Sequence, residues 1–442
     1  MHLLQQLRHL YNDRRSRLWV TPALNSVLAV GLALAAAWVP SLLPGLQLPH
    51  IERDTLSSLL TVIASSMLAV TTFSLSIMVS AFAAAANGAT PRATELLMED
   101  EGTRTAIGAF LSAFIFSVVA QVALGLKYYG DNGRFVLFVG TLLMLAWLII
   151  TLIRWVRTLS LLGRFGNTVT RIEQAAMHAC QQYAAAPFLG ARPAPAQLPA
   201  GLSVPALQIG YVRRIDMQAL QDWAQEQDVM LHLQVRPGQF VQPGQCLAIM
   251  CADTAAGSDL ADSSAIQAAI LIEASRSFEQ DPRFGLIVLS EVGQRAMSAA
   301  INDPGSGIAA INAMARVLMG MCAPPDQGRQ GSVHDRLTLI ALDEPALVHD
   351  GFDPIARDGA ANLEMAIRLQ KLLAMIASHN ALPAVVDAAH AQAQRAASRH
   401  RQALPYAVDR ELFEQVYQQI WQDRAHAPRA EAGVGKTKTP GQ

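Results

Sequence analysis

The chain has 442 residues, 52% of them hydrophobic and only 16% charged, with a net charge of −1. Soluble domains carry about 25% charged residues, so the deficit points to membrane-embedded sequence. Net charge near zero excludes the basic footprint of a nucleic-acid-binding protein. The deficit is concentrated before Arg154, and the length accommodates a membrane unit plus one or two soluble domains.

In chain order, residues 1–17 form an Arg-rich segment that is predicted to be cytoplasmic. The segment "RHLYNDRRSR" suits a retained signal anchor rather than a cleaved signal peptide, although "LALAAAW" offers small residues. A bilayer core of about 30 Å needs roughly 20 apolar residues per helix. Four stretches qualify: Leu18–Pro40, Leu56–Ala86, Thr105–Leu126 and Phe135–Ile153. The fold class read from this pattern is an α-helical membrane domain of four transmembrane helices over 18–155. Trp38, Tyr128, Tyr129 and Trp155 fall near span ends, where interfacial aromatics belong.

Arg8, Arg14, Arg15 and Arg17 precede the first span, and Arg154, Arg157, Arg164 and Arg171 follow the fourth. The loops between carry one or two basic residues each. This bias predicts a multi-pass protein of the inner membrane with both the N-terminus and the C-terminal region cytoplasmic. Unpaired Cys180, Cys246, Cys251 and Cys322 agree with a reducing compartment.

The second span is the unusual one. At 100° per residue, Ser58, Thr61, Ser65, Thr72, Ser76 and Ser80 share about a third of the circumference. Leu60, Ile63, Met67, Val70 and Ile77 form an aliphatic back that reads as lipid-facing. The third span has a small-residue seam of Ala106, Ala109, Ala113, Ser117 and Ala120, with Gln121 beside it. Tight helix packing is the plain reading of such a seam, and a water-filled path along the hydroxyls is the functional one. No charged residue or His lies inside any span, which disfavours pumps and voltage sensors and leaves passive conduction through hydroxyls and backbone. Residues 55–86 exceed the bilayer thickness as one helix, so they must tilt, break or project. The segment "NGATPRATELLMEDEG" predicts a helix stop, a Thr-Pro start and a short amphipathic helix.

A helical connector covers 156–186 and a Pro/Ala-rich linker covers 187–205. Residues 206–255 read as strand, short helix, strand, turn and strand. Asp216 is placed as a helix N-cap, and Pro237-Gly238 and Pro243-Gly244 as tight turns. The "RPGQFVQPGQCL" pattern resembles the small β-sandwich of lipoyl-type domains, but no Lys sits at a modification turn. Residues 256–424 read as mainly helical, with "SAIQAAILIEASRSFEQ" at helical spacing and "RLTLIALDEP" as a strand. Three Asp-Pro pairs, at Asp281, Asp303 and Asp353, read as helix starts. A tail over 425–442 reads as disordered. The fold class of the cytoplasmic part is therefore α+β, with a β-sandwich-like unit and a helical region.

The "INDPGSG" stretch offers Asn302, Asp303, Gly305 and Ser306 at a helix N-terminus, where free N–H groups favour an anion. Arg276 and Asp281 are expected beside it, completing a candidate anion or partner site. A simple N-cap is the plain alternative. With no H-E-x-x-H or P-loop pattern, no nucleophile–base pair and no metal cluster, neither an enzyme nor a cofactor is expected.

Three stretches carry a resemblance to the bacterial predicted membrane proteins grouped as domain-of-unknown-function family 2254. They are "LLTVIASSMLAVTTFSLSIMVSAF" with "PRATELLMEDEGTRTAIGAFLSAFIFS", "IDMQALQDWAQEQDVMLHLQVRPGQFVQPGQCLA", and "RSFEQDPRFGLIVLSEVGQRAMSAAINDP". In that family's pattern Ser-Pro-Gly often precedes the Ile-Asn-Asp-Pro run and Thr-Ala follows it. Here Ser298 is followed by Ala299-Ala300, and Gly305-Ser306 follow Pro304. The resemblance implies four N-terminal spans and a cytoplasmic domain, and transfers no catalytic residue. The functional expectation is a homo-oligomeric, channel-like protein in the lipid bilayer with a cytoplasmic regulatory domain. The alternative is a membrane-anchored scaffold or sensor that binds a cytoplasmic partner or small anion.

Overall fold

The computed structural model describes residues 17–38, 49–88, 90–93, 101–161, 165–252, 263–321 and 333–425. Residues 1–16, residues 94–100 of the expected amphipathic helix, Cys322 and the tail beyond Ala425 lie outside the described residues. The chain divides into two compact units, Met1–Thr168 and Val169–Gln442.

The first unit holds α1 (Arg17–Ala35), α2 (Arg53–Gly88), α3 (Glu101–Gly125) and α4 (Asp131–Leu161). Three stretches are long and apolar enough to cross a membrane: Arg53–Ala81, Thr105–Gly125 and Asp131–Leu159. The apolar part of α1 among the described residues, Ala23–Ala35, is shorter. Of the expected four spans, three meet the length criterion.

Helix α3 is the centre of this unit. Of its most apolar stretch, 56% is buried, against 17% for α2 and for α4. Ala106, Ala109, Ala113, Ser117 and Ala120 are all buried. Their small side chains let neighbouring backbones approach, which is how helices associate where lipid removes the hydrophobic drive. Ala29 and Ala33 of α1, and Ala36 just after it, share a core cluster with Phe116, Ala120 and Ala123 of α3 and with Leu56 and Leu60 of α2. Ile63 of α2 shares another with Phe110, Ala113, Leu148 and Trp155. At one end of the unit, Arg53 donates to the Gly125 carbonyl (3.0 Å) and Arg134 to that of Ile51 (3.3 Å). There Trp38 also donates to the Tyr128 hydroxyl (2.9 Å). Trp155 departs from the interfacial role expected of it: it is buried and donates to Ser74 Oγ of α2 (2.8 Å). An indole that finds a hydroxyl partner inside a bundle has no need of the headgroup layer.

Helix α2 runs unbroken for 36 residues, about 54 Å at 1.5 Å per residue. Of the three ways to fit an overlong segment, a break is ruled out. The expected Thr-Pro start after it is present, with Thr90 Oγ1 accepting from Ala93 N (3.3 Å).

The second unit begins within α5 (Phe165–Ala185) and continues as β1 (Ala191–Pro193), β2 (Leu202–Pro205), β3 (Gly210–Ile215), α6 (Met217–Glu226), β4 (Val229–Leu233), β5 (Phe240–Val241), β6 (Cys246–Ala252), α7 (Ser264–Ala269) and β7 (Ile270–Glu273). Then follow α8 (Pro282–Ala296), α9 (Pro304–Gly320), β8 (His334–Leu339), α10 (Pro345–Asp358), α11 (Leu363–His379), α12 (Pro383–Ala403) and α13 (Ala407–Ala425). A mixed five-stranded sheet has the order β1-β8-β4-β6-β2, and an antiparallel three-stranded sheet has the order β5-β3-β7. Val212, Val241, Leu231, Leu233, Ile270 and Leu337 belong to their common core.

Three expectations are corrected here. The 187–205 linker contains β1 and β2, so the β unit is not confined to 206–255; it also recruits β7 and β8 from the region read as helical. "ILIE" is strand β7 rather than helix, because its β-branched alternation completes the three-stranded sheet against β3. Asp353-Pro354 lies inside α10 and starts no helix. Buried Leu347, Val348, Phe352 and Ile355 carry α10 through the proline, and Asp353 instead accepts from both Nη atoms of Arg399 on α12 (2.8 and 3.2 Å).

Close helix contacts organise the rest. A Cβ at Gly285 of α8 would collide with Ala176 of α5, and one at Gly293 with Ile355 of α10. Buried Gln370 of α11 donates to the Ala393 carbonyl of α12 (3.0 Å) and accepts from Trp421 of α13 (3.1 Å). Beside it, fully buried His400 bonds through Nδ1 to the Ala360 carbonyl (3.0 Å), while its Nε2 has no partner and its ring meets Phe413 of α13. Burial lowers the His400 pKa, and the Arg399 charge adds to this; burial lowers that of His232 as well. An unfolded histidine takes up its proton near pH 6.5, whereas these take it up only at lower pH. Below about pH 6.5 the unfolded chain therefore binds more protons, and stability falls as the pH falls. The expected result is a melting temperature of the second unit that drops between pH 7.5 and 5.5, with a smaller drop in His400→Gln. Equal slopes in circular-dichroism melts would remove His400 from this account.

Candidate functional site

Leu56, Leu60, Ile63 and Ala64 are buried against the rest of the first unit. At 100° per residue the row of Ser58, Thr61, Ser65, Thr72, Ser76 and Ser80 lies about 180° away. All six hydroxyl residues are exposed on the single chain. The aliphatic side read from sequence as lipid-facing is thus the one that packs inward. The reason is α3: its alanines leave grooves that branched and long aliphatic side chains fill, which a row of serines would leave empty.

The hydroxyls are held by their own helix. Thr61 Oγ1 donates to the Ser57 carbonyl (2.8 Å), Ser65 to Thr61 (2.9 Å) and Thr72 to Ala69 (2.9 Å) and Leu68 (3.1 Å). This is the i−4 back-bonding open to Ser and Thr in apolar helices. Thr61 Oγ1 also accepts from Gln121 Nε2 of α3 (2.8 Å), so the structure brings these two predicted residues together. Ser117 is placed elsewhere: it is fully buried within the α3 seam, and its hydroxyl has no partner among the described residues.

In the second unit the predicted cluster separates into two places. Asp281 and Asp303 cap the starts of α8 and α9. The 15 residues of α8 lie between them, about 22 Å of helix. Asp303 accepts from Ser306 N (3.1 Å), and Asn302 beside it adopts a positive φ of 48°. Ser306 and the backbone N–H groups hold the Asp303 carboxyl below its ordinary range. Asn302, Asp303 and Gly305 are exposed, and the loop geometry is that of an N-cap.

The other place is buried. Arg276 donates to Asp281 Oδ2 through Nε (2.7 Å) and Nη2 (2.6 Å), and Asp281 Oδ1 accepts from Arg283 N (3.1 Å) and Phe284 N (3.2 Å). Asp281 is 2% exposed. Gly238, at φ +91°, lies against this pair, and a Cβ there would collide with the carboxylate. Beside it Arg236 donates to the Ile340 carbonyl (2.6 Å) and the Pro187 carbonyl (2.8 Å), with its guanidinium 5.8 Å from the Tyr183 ring centroid. Tyr183 donates to Glu344 (2.7 Å). Burial lowers the Arg236 pKa, and burial with the Glu344 carboxylate raises that of Tyr183. Cys180, pushed up to about 12 by burial and the nearby Asp281, remains a thiol. The carboxylate of Asp281 is fully engaged within the fold. Its chemistry is that of a joint between α5, the β unit and α8.

An open cleft of about 490 Å³ is lined by Gln182, Leu189, Arg214, Asp216 and Gln280 among others. Gln280 is bound to the backbone of Ile215 and Asp216 caps α6, whereas the side chain of Arg214, exposed on β3, has no hydrogen-bond or ion-pair partner among the described residues. No group of three or more His, Cys, Asp and Glu side chains that could hold a metal ion occurs among the described residues. Sequence reasoning assigned no role to Arg236, Tyr183 or Glu344, and placed Gly238 only as a turn residue. The one local signal was "RPGQF", where the turn glycine and the arginine stand two residues apart.

A family model described as "Predicted membrane protein (DUF2254)" matches residues 15–375. No curated protein and no solved structure matches the chain.

The buried joint yields a stability prediction. Asp281→Ala leaves Arg276 without its counter-charge and is expected to cost about 3–5 kcal/mol. Asp303→Ala removes only an exposed cap, worth about 1 kcal/mol. Chemical unfolding of the detergent-solubilised protein measures both; equal losses would contradict the joint.

Proposed function

As the chain belongs to the DUF2254 family of predicted membrane proteins, we propose that it is a homo-oligomeric, channel-like protein of the inner membrane that conducts ions or small solutes passively. In this reading α1 is the first of four spans, both ends are cytoplasmic, and the second unit is a regulatory collar that performs no catalysis. The observation that carries it is the exposed hydroxyl face of α2, opposite the side buried against its neighbours. Among the described residues, the one hydrogen bond this face receives from another helix comes from Gln121. Water or a second copy is a better neighbour for it than lipid, and a hydroxyl-lined, uncharged path suits passive flow.

The back-bonding of Thr61, Ser65 and Thr72 favours a second reading, in which the face packs against another copy of a membrane-anchored scaffold or sensor. Ion flux into liposomes containing the purified protein separates the two. Conduction predicts flux that changes at least severalfold in Ser65→Leu/Thr72→Leu while the oligomer stays intact. The scaffold reading predicts no flux under any ionic, osmotic or tension condition, and loss of assembly in the same variant.

A further inference from the structure

The three-stranded sheet buries Val212, Val241, Ile270 and Ile272 on one face. An antiparallel sheet of this kind ordinarily turns polar residues outward. Here Phe240 is 53% exposed and Leu271 41%, and on the approach to β3 Leu207 is 70% and Ile209 64% exposed. Tyr211 pairs with Phe240 across β3 and β5, their rings meeting edge to face at 4.9 Å, and Leu271 lies opposite Arg214 across β3 and β7. The patch thus combines exposed aliphatics, an aromatic pair and Arg214, whose side chain has no partner among the described residues. Arg213 is already paired with Glu273.

We propose that this sheet face rests on an anionic bilayer surface. The charges decide between lipid and a second copy. In a two-fold contact through this face, the two Arg214 side chains would be drawn into one interface with Glu273 already committed to Arg213, leaving uncompensated cations. Headgroup phosphates instead offer Arg214 a partner. Aromatic and aliphatic side chains beside an arginine are the composition of a membrane interface, where an arginine stem lies along apolar groups and its head reaches the phosphates. This inference is independent of whether the protein conducts.

The test uses the full chain in vesicles of phosphatidylglycerol or of phosphatidylcholine, with a photoreactive p-benzoylphenylalanine at position 240 or 271. Mass spectrometry reads the adducts, and exposed Gln225 on α6 is the reference position. Lipid adducts at 240 and 271, absent at 225 and reduced about fivefold in yield by Arg214→Gln in phosphatidylglycerol vesicles, are expected from about 1 kcal/mol per basic residue at an anionic surface. Covalent dimers in place of lipid adducts would assign the face to a second copy and overturn the proposal. So would no lipid adduct at either position, or equal lipid adducts at Gln225.

Discussion

The close approach of helices along α3 is the constraint from which the membrane unit follows. Lipid tails are as apolar as leucine, so burying apolar area gives little net drive for helices to associate. What remains is contact at short range, and a face of alanines permits it. α1 meets that helix with Ala29 and Ala33, and α2 with Leu56, Leu60 and Ile63. Once the aliphatic side of α2 is committed there, its period of 3.6 residues places the hydroxyl row on the outside. The orientation of the hydroxyls is thus a consequence of packing on the opposite side.

The second unit depends on a different kind of contact. Its helices meet through apolar surfaces, but its β unit is joined to them by buried polar groups. Asp281 receives two bonds from Arg276 and two from the backbone of α8, and Gly238 is small enough to let the turn close over them. A buried charge is tolerated when every lone pair has a donor, and each such bond also selects one arrangement over its competitors. Arg236 acts similarly on the carbonyls of Pro187 and Ile340, residues that are 153 positions apart in the chain. The same saturation argues against a reactive role for Asp281.

Local signals in the chain carried much of this. The apolar runs marked α2, α3 and α4, the Asp-Pro pairs marked the starts of α8 and α9, and the turn residues marked the order from β3 to β6. Where local reading failed, a distant partner had decided. "ILIE" has helical neighbours and becomes a strand because β3 offers it an edge. Pro354 sits inside a helix because four buried side chains hold that helix on both sides of it.

The sequence by itself determined membrane embedding, the family, the helical period of the hydroxyl row and the α+β class of the second unit, because these rest on composition and on contacts a few residues long. Only the tertiary structure decided which side of α2 is covered, that Arg276 and Asp281 stand a helix length from Asn302 and Ser306, and that Arg236 closes a joint. A period places residues on a common face but does not say which face meets a neighbour; that choice is made by the shape of the surface that packs against it.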